Sequence, residues 1–569
     1  MRWLRGENNP FFFLAILWLV NLSSIFIWLK RDINYLTHDS HRHFLASLRL
    51  FEVLKNLSFD AVPASLDTIR LHPPFVMMIT APFFFLFGTG QDAAVLVNSA
   101  IFLGILIFSI YGIGTKIADR NTGLLAAFII CTYPVIHNQL KVFMLDLPLT
   151  SMLTLSIYFL LSCDNFKNIK NTVLFSISAG LGMLTKDSFL LYLSAPLGFM
   201  IITSIFRVRK KGGEFKKIFK HFLLPGALFL SICSFYYFNK FFIVLTKASY
   251  HKVITWPVVI PESGPFLNML RALLWYFWGF INWQVSLFFF LVFVIAVFFF
   301  AKAKIKNKGI FFFWIFSSWI LVSLFRHAIG INMKVTGVRY TMPILPAVAV
   351  ISAFGITQIP AKKIRFFLTY SIIIFGILQL FFVSYPIPIK GFPKKVSLSI
   401  NLPERIDRYK LFPEGIILFN FGEWAISGRD SGSYSRDAGN YLEANKRIFD
   451  LIDSSSGEQE RISVLVIPDN ARLRFLQYMA YLEKKDFSIV CDWNYLRSEM
   501  AVKKIGISEL IQNADYVIDK SRGHLGEPYM QPLVKSAKEY FDFYKERFIF
   551  LRQIEWPDRS AILIYKKLN

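Results

Sequence analysis

The sequence predicts a polytopic α-helical membrane protein with a smaller α/β domain at its C-terminal end. Three observations carry that expectation. The 569 residues are 54% hydrophobic and include 62 phenylalanines, in uninterrupted stretches that a soluble fold could not cover. Apolar runs of span length recur over residues 1–389, whereas residues 390–569 alternate short β-rich runs with helical ones. The net charge of +25 is also uneven: residues 1–389 carry 35 Lys and Arg against 13 Asp and Glu, and residues 390–569 carry 28 against 25. A basic excess confined to the apolar part reads as loop charge that fixes topology, and nothing in the chain resembles a nucleic-acid module.

The elements follow from hydropathy. Spans are expected near 11–29, 92–114, 121–137, 146–163, 171–185, 188–206, 221–243, 284–301, 310–326, 338–357 and 364–385, about eleven in all. The first run follows Arg2 and Arg5, is long for a signal-peptide core and lacks a small-residue cleavage site, so it reads as a retained span. Basic clusters at Lys116 and Arg120, Lys167 and Lys170, Arg207–Lys220, Lys302–Lys308 and Lys362–Arg365 are mutually consistent if all are cytoplasmic. This places the N-terminus inside and the C-terminal domain on the extracytoplasmic (periplasmic) side of the inner, or plasma, membrane. Residues 73–88 are apolar but short and hold three prolines, and counting them as a span would invert every later loop. They are expected to form a re-entrant or interfacial helix. The domains are then 1–389, with a first outer loop over 30–72, and 390–569. In the latter, Gly415–Asn420, Ile462–Pro468, Ser488–Cys491 and Ala561–Tyr565 read as strands, and Glu499–Asn513 and Val534–Arg547 as helices. Cys131, Cys163, Cys233 and Cys491 are scattered, which indicates neither a disulfide framework nor a metal knuckle.

Charged groups in a bilayer protein sit where function or a water-facing loop requires them. Asp39, with His41, Arg42 and His43 beside it, lies ten residues after the first span; it is either a solvated loop acid or a general base. A divalent metal on Asp39, His41 and His43 is conceivable from their spacing but not favoured, and no cofactor is firmly implied. Asp146 opens a span before Pro148, where an acid also suits a helix start, and Lys141 is near it in sequence. Lys186 and Asp187 form a short turn between spans; Lys186 suits an anionic headgroup, as does Arg339 beside Tyr340. Arg326, His327 and Lys334 share the loop of Arg339. His72 before Pro73-Pro74 stiffens the entry to the following helix.

The order of these features resembles a family. An N-terminal span and an outer loop with Asp39 are followed by His72-Pro73-Pro74-Phe75 and Met144-Leu-Asp146-Leu-Pro148-Leu149. Then come Gly180-Leu-Gly-Met-Leu-Thr185-Lys186 and Arg339-Tyr340-Thr-Met-Pro343-Ile-Leu-Pro346. Over roughly residues 1–385 the chain resembles the GT-C fold glycosyltransferases. Within them it is most similar to bacterial relatives of protein O-mannosyltransferases and of the aminoarabinose transferase that modifies lipid A. The resemblance implies a polyprenyl-phosphate-linked sugar as donor, inversion at the anomeric carbon, and a lipid, glycan or protein as acceptor. It implies Asp39 as catalytic base, Asp146 as a second acidic site residue, and Lys186, Arg339 and Lys141 on the donor phosphate, with Arg42, His43, His72, Asp187 and Tyr340 as further site candidates. The chain departs from the pattern where Ser40 stands for a frequent Glu and where Lys141 stands near the position of a common Arg. The rival class is a polytopic transporter or flippase of a lipid-linked or small polar substrate, against which stand the lack of an internal repeat and the long C-terminal domain.

Overall fold

The computed structural model describes residues 9–30, 38–56, 73–210, 222–234, 236–238, 265–324, 338–384, 395–398, 416–420, 438–457, 461–467, 473, 475–490, 507–521, 531–556 and 560–568. His72, Arg326, His327 and Lys334 lie outside the described residues. By internal packing the chain divides into two units, Met1–Arg31 with Ala46–Ser433, and Asp32–Leu45 with Tyr434–Asn569.

The first unit is helical. Its elements are α1 (Pro10–Leu29), the later turns of α2 (His38–Lys55), α3 (Phe75–Phe87), α4 (Gln91–Ile117), α5 (Arg120–Thr132), α6 (Pro134–Gln139), α7 (Asp146–Ser162) and α8 (Ile169–Met183). They are followed by α9 (Phe189–Lys210), α10 (Phe222–Ser234), α11 (Pro265–Gly279), α12 (Leu287–Lys302), α13 (Gly309–Leu324), α14 (Leu345–Thr357) and α15 (Lys362–Ser384). Among the described residues five helices are long and apolar enough to cross a membrane: Pro10–Leu29, Gln91–Ile117, Phe189–Arg207, Val338–Thr357 and Lys362–Val383. Their starts obey ordinary capping rules. Asn9 Oδ1 accepts from the Phe11 amide at 3.0 Å ahead of Pro10, and Asp119 Oδ1 accepts from the Thr122 amide at 2.8 Å. Close helix contact relies on small residues, as expected where lipid supplies no hydrophobic drive between helices. A Cβ on Gly114 of α4 would fall 2.6 Å from the Gly123 Cα of α5, and one on Gly355 of α14 would collide with Ala296 of α12. The expected short helix over 73–88 is the thirteen-residue α3, with Pro82 inside it and Phe85, Leu86 and Phe87 exposed at its end.

Two features depart from the sequence reading. The expected span at 284–301 is α12, and it is preceded by α11 and a wide-turn segment, Phe280–Val285, which the hydropathy did not single out; Leu273–Val285 and Leu287–Lys302 meet at 109°. Ser286 at that bend has φ 75° and ψ 158°, a region essentially reserved for glycine. Among the described residues its buried hydroxyl finds no hydrogen-bond partner. Ser286→Gly is therefore expected to raise the melting temperature in detergent, relieving strain of about 1–3 kcal/mol; an unchanged melting temperature would show the bend to be unstrained.

The second departure concerns residues 395–420. The run at 415–420 does not join the α/β sheet. β1 (Lys395–Leu398) and β2 (Ile416–Asn420) form a separate antiparallel pair in the helical unit, and the Ile417 amide donates to Asn282 Oδ1 at 2.9 Å.

In the second unit, β3 (Arg461–Val466), β4 (Asp486–Val490), β5 (Tyr516–Lys520), β6 (Phe548–Glu555) and β7 (Ala561–Lys567) form one sheet in the order β4-β3-β5-β7-β6. β3 runs parallel to β4 and β5, while β7 is antiparallel to β5 and β6. Helices α16 (Ala438–Ser456), α17 (Phe475–Leu482), α18 (Ile507–Gln512) and α19 (Gln531–Tyr544) accompany it. The two-residue period of a strand separates two cores. Val464, Val466 and Ile518 pack with Ile448 and Ile452 of α16 and with Trp556; Leu465 and Val517 pack with Ala537 and Phe541 of α19. Strands β1, β5 and β6 and helices α16 and α17 were not anticipated.

Candidate active site

Three turns at span ends converge in the helical unit. The first precedes α7. Asn98 of α4 is fully buried, and its amide donates toward the carbonyls of Val142 at 2.8 Å, Met144 at 3.3 Å and Gln139 at 3.4 Å. An irregular segment buried among helices needs such donors, and here they place Asp146 in the opening turn of α7, where the helix dipole favours a carboxylate.

The second turn follows α8. The Phe189 ring lies against Gly182, where any Cβ would collide with it, so the glycine lets the chain fold back tightly. The Thr185 amide then donates to the Gly182 carbonyl at 3.1 Å and the Phe189 amide to the Lys186 carbonyl at 2.9 Å. The Leu184 carbonyl also accepts from the Phe75 amide at 3.0 Å, tying this turn to the start of α3. Gly182→Ala is expected to cost about 1–3 kcal/mol of stability through overpacking, read as a lower melting temperature; a Gly182→Ala protein as stable as the parent would show that Phe189 can give way.

The third turn is the tight helix Val338–Ile344, which leads into α14 through Pro343 and Pro346. It is clamped from three sides. Gln284 Nε2 donates to the Val338 carbonyl and, at 2.9 Å, to Thr341 Oγ1; the Tyr192 hydroxyl donates to the Tyr340 carbonyl at 2.6 Å; Trp314 Nε1 donates to the Pro343 carbonyl at 2.9 Å.

These turns bring four of the expected residues together. Lys186 Nζ lies 2.7 Å from Asp146 Oδ1, and Arg339 Nε lies 3.5 Å from Asp146 Oδ2. The Tyr340 ring faces both cations, with Lys186 Nζ 5.2 Å and the Arg339 guanidinium carbon 5.4 Å from its centroid. The side chains are 2% (Asp146), 10% (Arg339) and 16% (Lys186) exposed. Among the described residues two cations thus lie against one carboxylate in a largely buried place.

The other expected residues are placed elsewhere. Lys141 Nζ donates to the Val383 carbonyl at 2.8 Å and sits over the Trp28 ring at 5.5 Å. Asp187 Oδ1 accepts from the Tyr237 hydroxyl at 2.8 Å, holding α8, α9 and the chain after α10 in one corner. Asp39, Arg42 and His43 are not in an open loop: they occupy the first turns of α2, in the second unit. Arg42 Nη1 lies 3.4 Å from Asp39 Oδ1, one helical turn away, with the Asp39 side chain 36% exposed. His43 is buried. Among the described residues no group of three His, Cys, Asp or Glu is placed to hold a metal ion. Sequence reading missed Asn98, Gln284 and Tyr192, because a neutral amide or phenol in an apolar run carries no local sign of what it will clamp.

An assembly of apolar spans with a separate mixed-sheet domain is the architecture of the GT-C fold, and the comparisons with solved structures agree. ArnT from Cupriavidus metallidurans in the apo state superposes with a TM-score of 0.51 at 13% sequence identity, over 97% of each chain. The apo oligosaccharyltransferase of Archaeoglobus fulgidus gives 0.51 at 11% identity, over 91% of this chain and 70% of that one. Residues 71–237 match the family model described as dolichyl-phosphate-mannose-protein mannosyltransferase. No curated protein matches the chain by sequence. The chain is thus a multi-pass membrane protein of GT-C fold, and the matched stretch contains both Asp146 and Lys186.

Proposed function

We propose that the protein is a membrane glycosyltransferase that moves a sugar from a polyprenyl-phosphate donor to a hydroxyl of a lipid, glycan or protein acceptor on the outer face of the membrane. The observation that carries this reading is the Lys186–Asp146–Arg339 cluster. It gathers a lysine and an arginine at one point among apolar spans, where a lipid-linked phosphate would arrive. The description of the matching family model, which names a dolichyl-phosphate sugar, supports the same donor class.

In this reading Asp146 holds the two cations beside one another. As the bond between the anomeric carbon and the phosphate oxygen breaks, its electron pair passes to the phosphate. Lys186 and Arg339 stabilise the charge that grows there. Asp39 takes the proton from the acceptor hydroxyl, whose oxygen attacks the anomeric carbon opposite the departing phosphate and inverts its configuration. The Tyr340 face keeps both cations oriented. Reaction of the purified protein in nanodiscs with a panel of polyprenyl-phosphate sugars, followed by NMR of the product, tests this. Transfer with inversion from one donor is expected; transfer with retention would remove Asp39 as base, and a lipid-linked sugar moved across the bilayer unchanged would favour a flippase.

A further inference from the structure

The helix that carries Asp39 begins inside the α/β unit. By internal packing Asp32–Leu45 falls in one unit with Tyr434–Asn569. His41 Nε2 and Gln477 Oε1 of α17 share a hydrogen bond at 3.0 Å, with His41 1% exposed. The amide of the same Gln477 donates to the Ile489 carbonyl, at the end of β4, at 2.7 Å. Three residues past His41, the fully buried Phe44 meets the Tyr478 ring with centroids 5.2 Å apart. His41 and Phe44 are one helical turn apart and so lie on one face of α2, while Gln477 and Tyr478 are adjacent on α17. The first turn of α2 is thereby fixed to the sheet through a side-chain relay: β4 carbonyl, Gln477, His41.

We propose that Gln477 and Tyr478 are positioning residues for the transfer reaction, and that the C-terminal domain serves to hold the Asp39 turn in its working orientation. This rests on the reading of Asp39 as the proton acceptor. A general base acts only within hydrogen-bond reach of the proton it takes, and α2 is seated on α17 by one hydrogen bond and one ring pair just beyond Asp39. Gln477→Leu keeps the volume and removes both hydrogen bonds; Gln477→Glu keeps an acceptor oxygen for His41.

The test is steady-state kinetics of the full chain in nanodiscs with a polyprenyl-phosphate sugar. Gln477→Leu is expected to lower kcat on the order of 10- to 100-fold, the effect of misplacing a catalytic group by a fraction of an ångström to an ångström, with donor KM unchanged. Gln477→Glu, which keeps the bond to His41 and loses the one to Ile489, is expected to give a kcat between those of Gln477→Leu and the parent. Ile448→Val, which trims the same domain's core without touching α2, should lower its melting temperature and leave kcat intact. Should Gln477→Leu fail to fold, Tyr478→Leu reads the same relation at the second contact. Folded Gln477→Leu with the parent's kcat, or loss of kcat in Ile448→Val as well, overturns the proposal. Asp39→Asn in the same assay separates the two levels. If it is fully active, the reading of Asp39 fails and this inference with it; if it is inactive while Gln477→Leu works normally, only the inference fails.

Discussion

Asp39→Asn is expected to lower turnover about 10²- to 10⁴-fold, the contribution typical of a positioned general base, while folding and membrane insertion stay as in the parent. The second half of that expectation comes from the structure. The Asp39 carboxylate is over a third exposed, and its ion pair with Arg42 spans 3.4 Å on one helix face. Exposed pairs of this kind contribute about 0–1 kcal/mol, so a neutral isostere removes the proton acceptor without disturbing α2. A matching loss of stability and activity would instead identify Asp39 as a structural acid.

Asp146 should behave in the opposite manner. Asp146→Asn takes the carboxylate away from both Lys186 and Arg339 in a largely buried site, and breaking a buried pair by removing one partner costs about 3–5 kcal/mol. The variant is expected to melt at a much lower temperature, or to be recovered in low yield, as well as to lose activity. Arg339→Met removes one cation but keeps the 2.7 Å Lys186–Asp146 pair. It is expected to fold and to raise the donor KM about 10- to 100-fold, the equivalent of one lost hydrogen bond between charged groups at about 1.5–3 kcal/mol. Arg339→Lys should not restore it fully, because a point charge replaces a planar fork over the Tyr340 ring. If Asp146→Asn proved as stable as the parent and Arg339→Met left donor KM alone, the cluster would be neither a buried charge site nor a phosphate site.

The parts of this arrangement that were legible in the sequence are those that break an apolar pattern. A lone acid at a span start, a lysine in a short turn and an arginine before a proline-rich span are conspicuous because charge in a bilayer needs a reason. Their side chains do meet. Lys141 was conspicuous for the same reason, yet it caps the Val383 carbonyl, since charge alone does not say which neighbour a folded chain supplies. The bend at Ser286 was hidden because Asn268, Arg271, Asn282 and Gln284 interrupt the apolar run that precedes it. Gln284, which clamps the Arg339 turn, is one amide among many. In the α/β unit, β5 reads as Tyr-Val-Ile-Asp-Lys and loses its strand signal to two charges; Asp519 of that pair is nevertheless buried, with Lys538 Nζ 3.2 Å from its carboxylate. The run at 415–420 had the signal of a sheet strand, but its partner is β1, and nothing local distinguishes a hairpin in the helical unit from a strand of the main sheet.

The most direct test of the central claim is the release of polyprenyl phosphate by the purified full chain in nanodiscs, supplied in turn with each polyprenyl-phosphate sugar and a membrane extract as acceptor source. Release is expected to depend on one donor, to saturate at higher donor concentration in Arg339→Met, and to vanish in Asp39→Asn. No release with any donor, or release that Asp39→Asn leaves untouched, would contradict it.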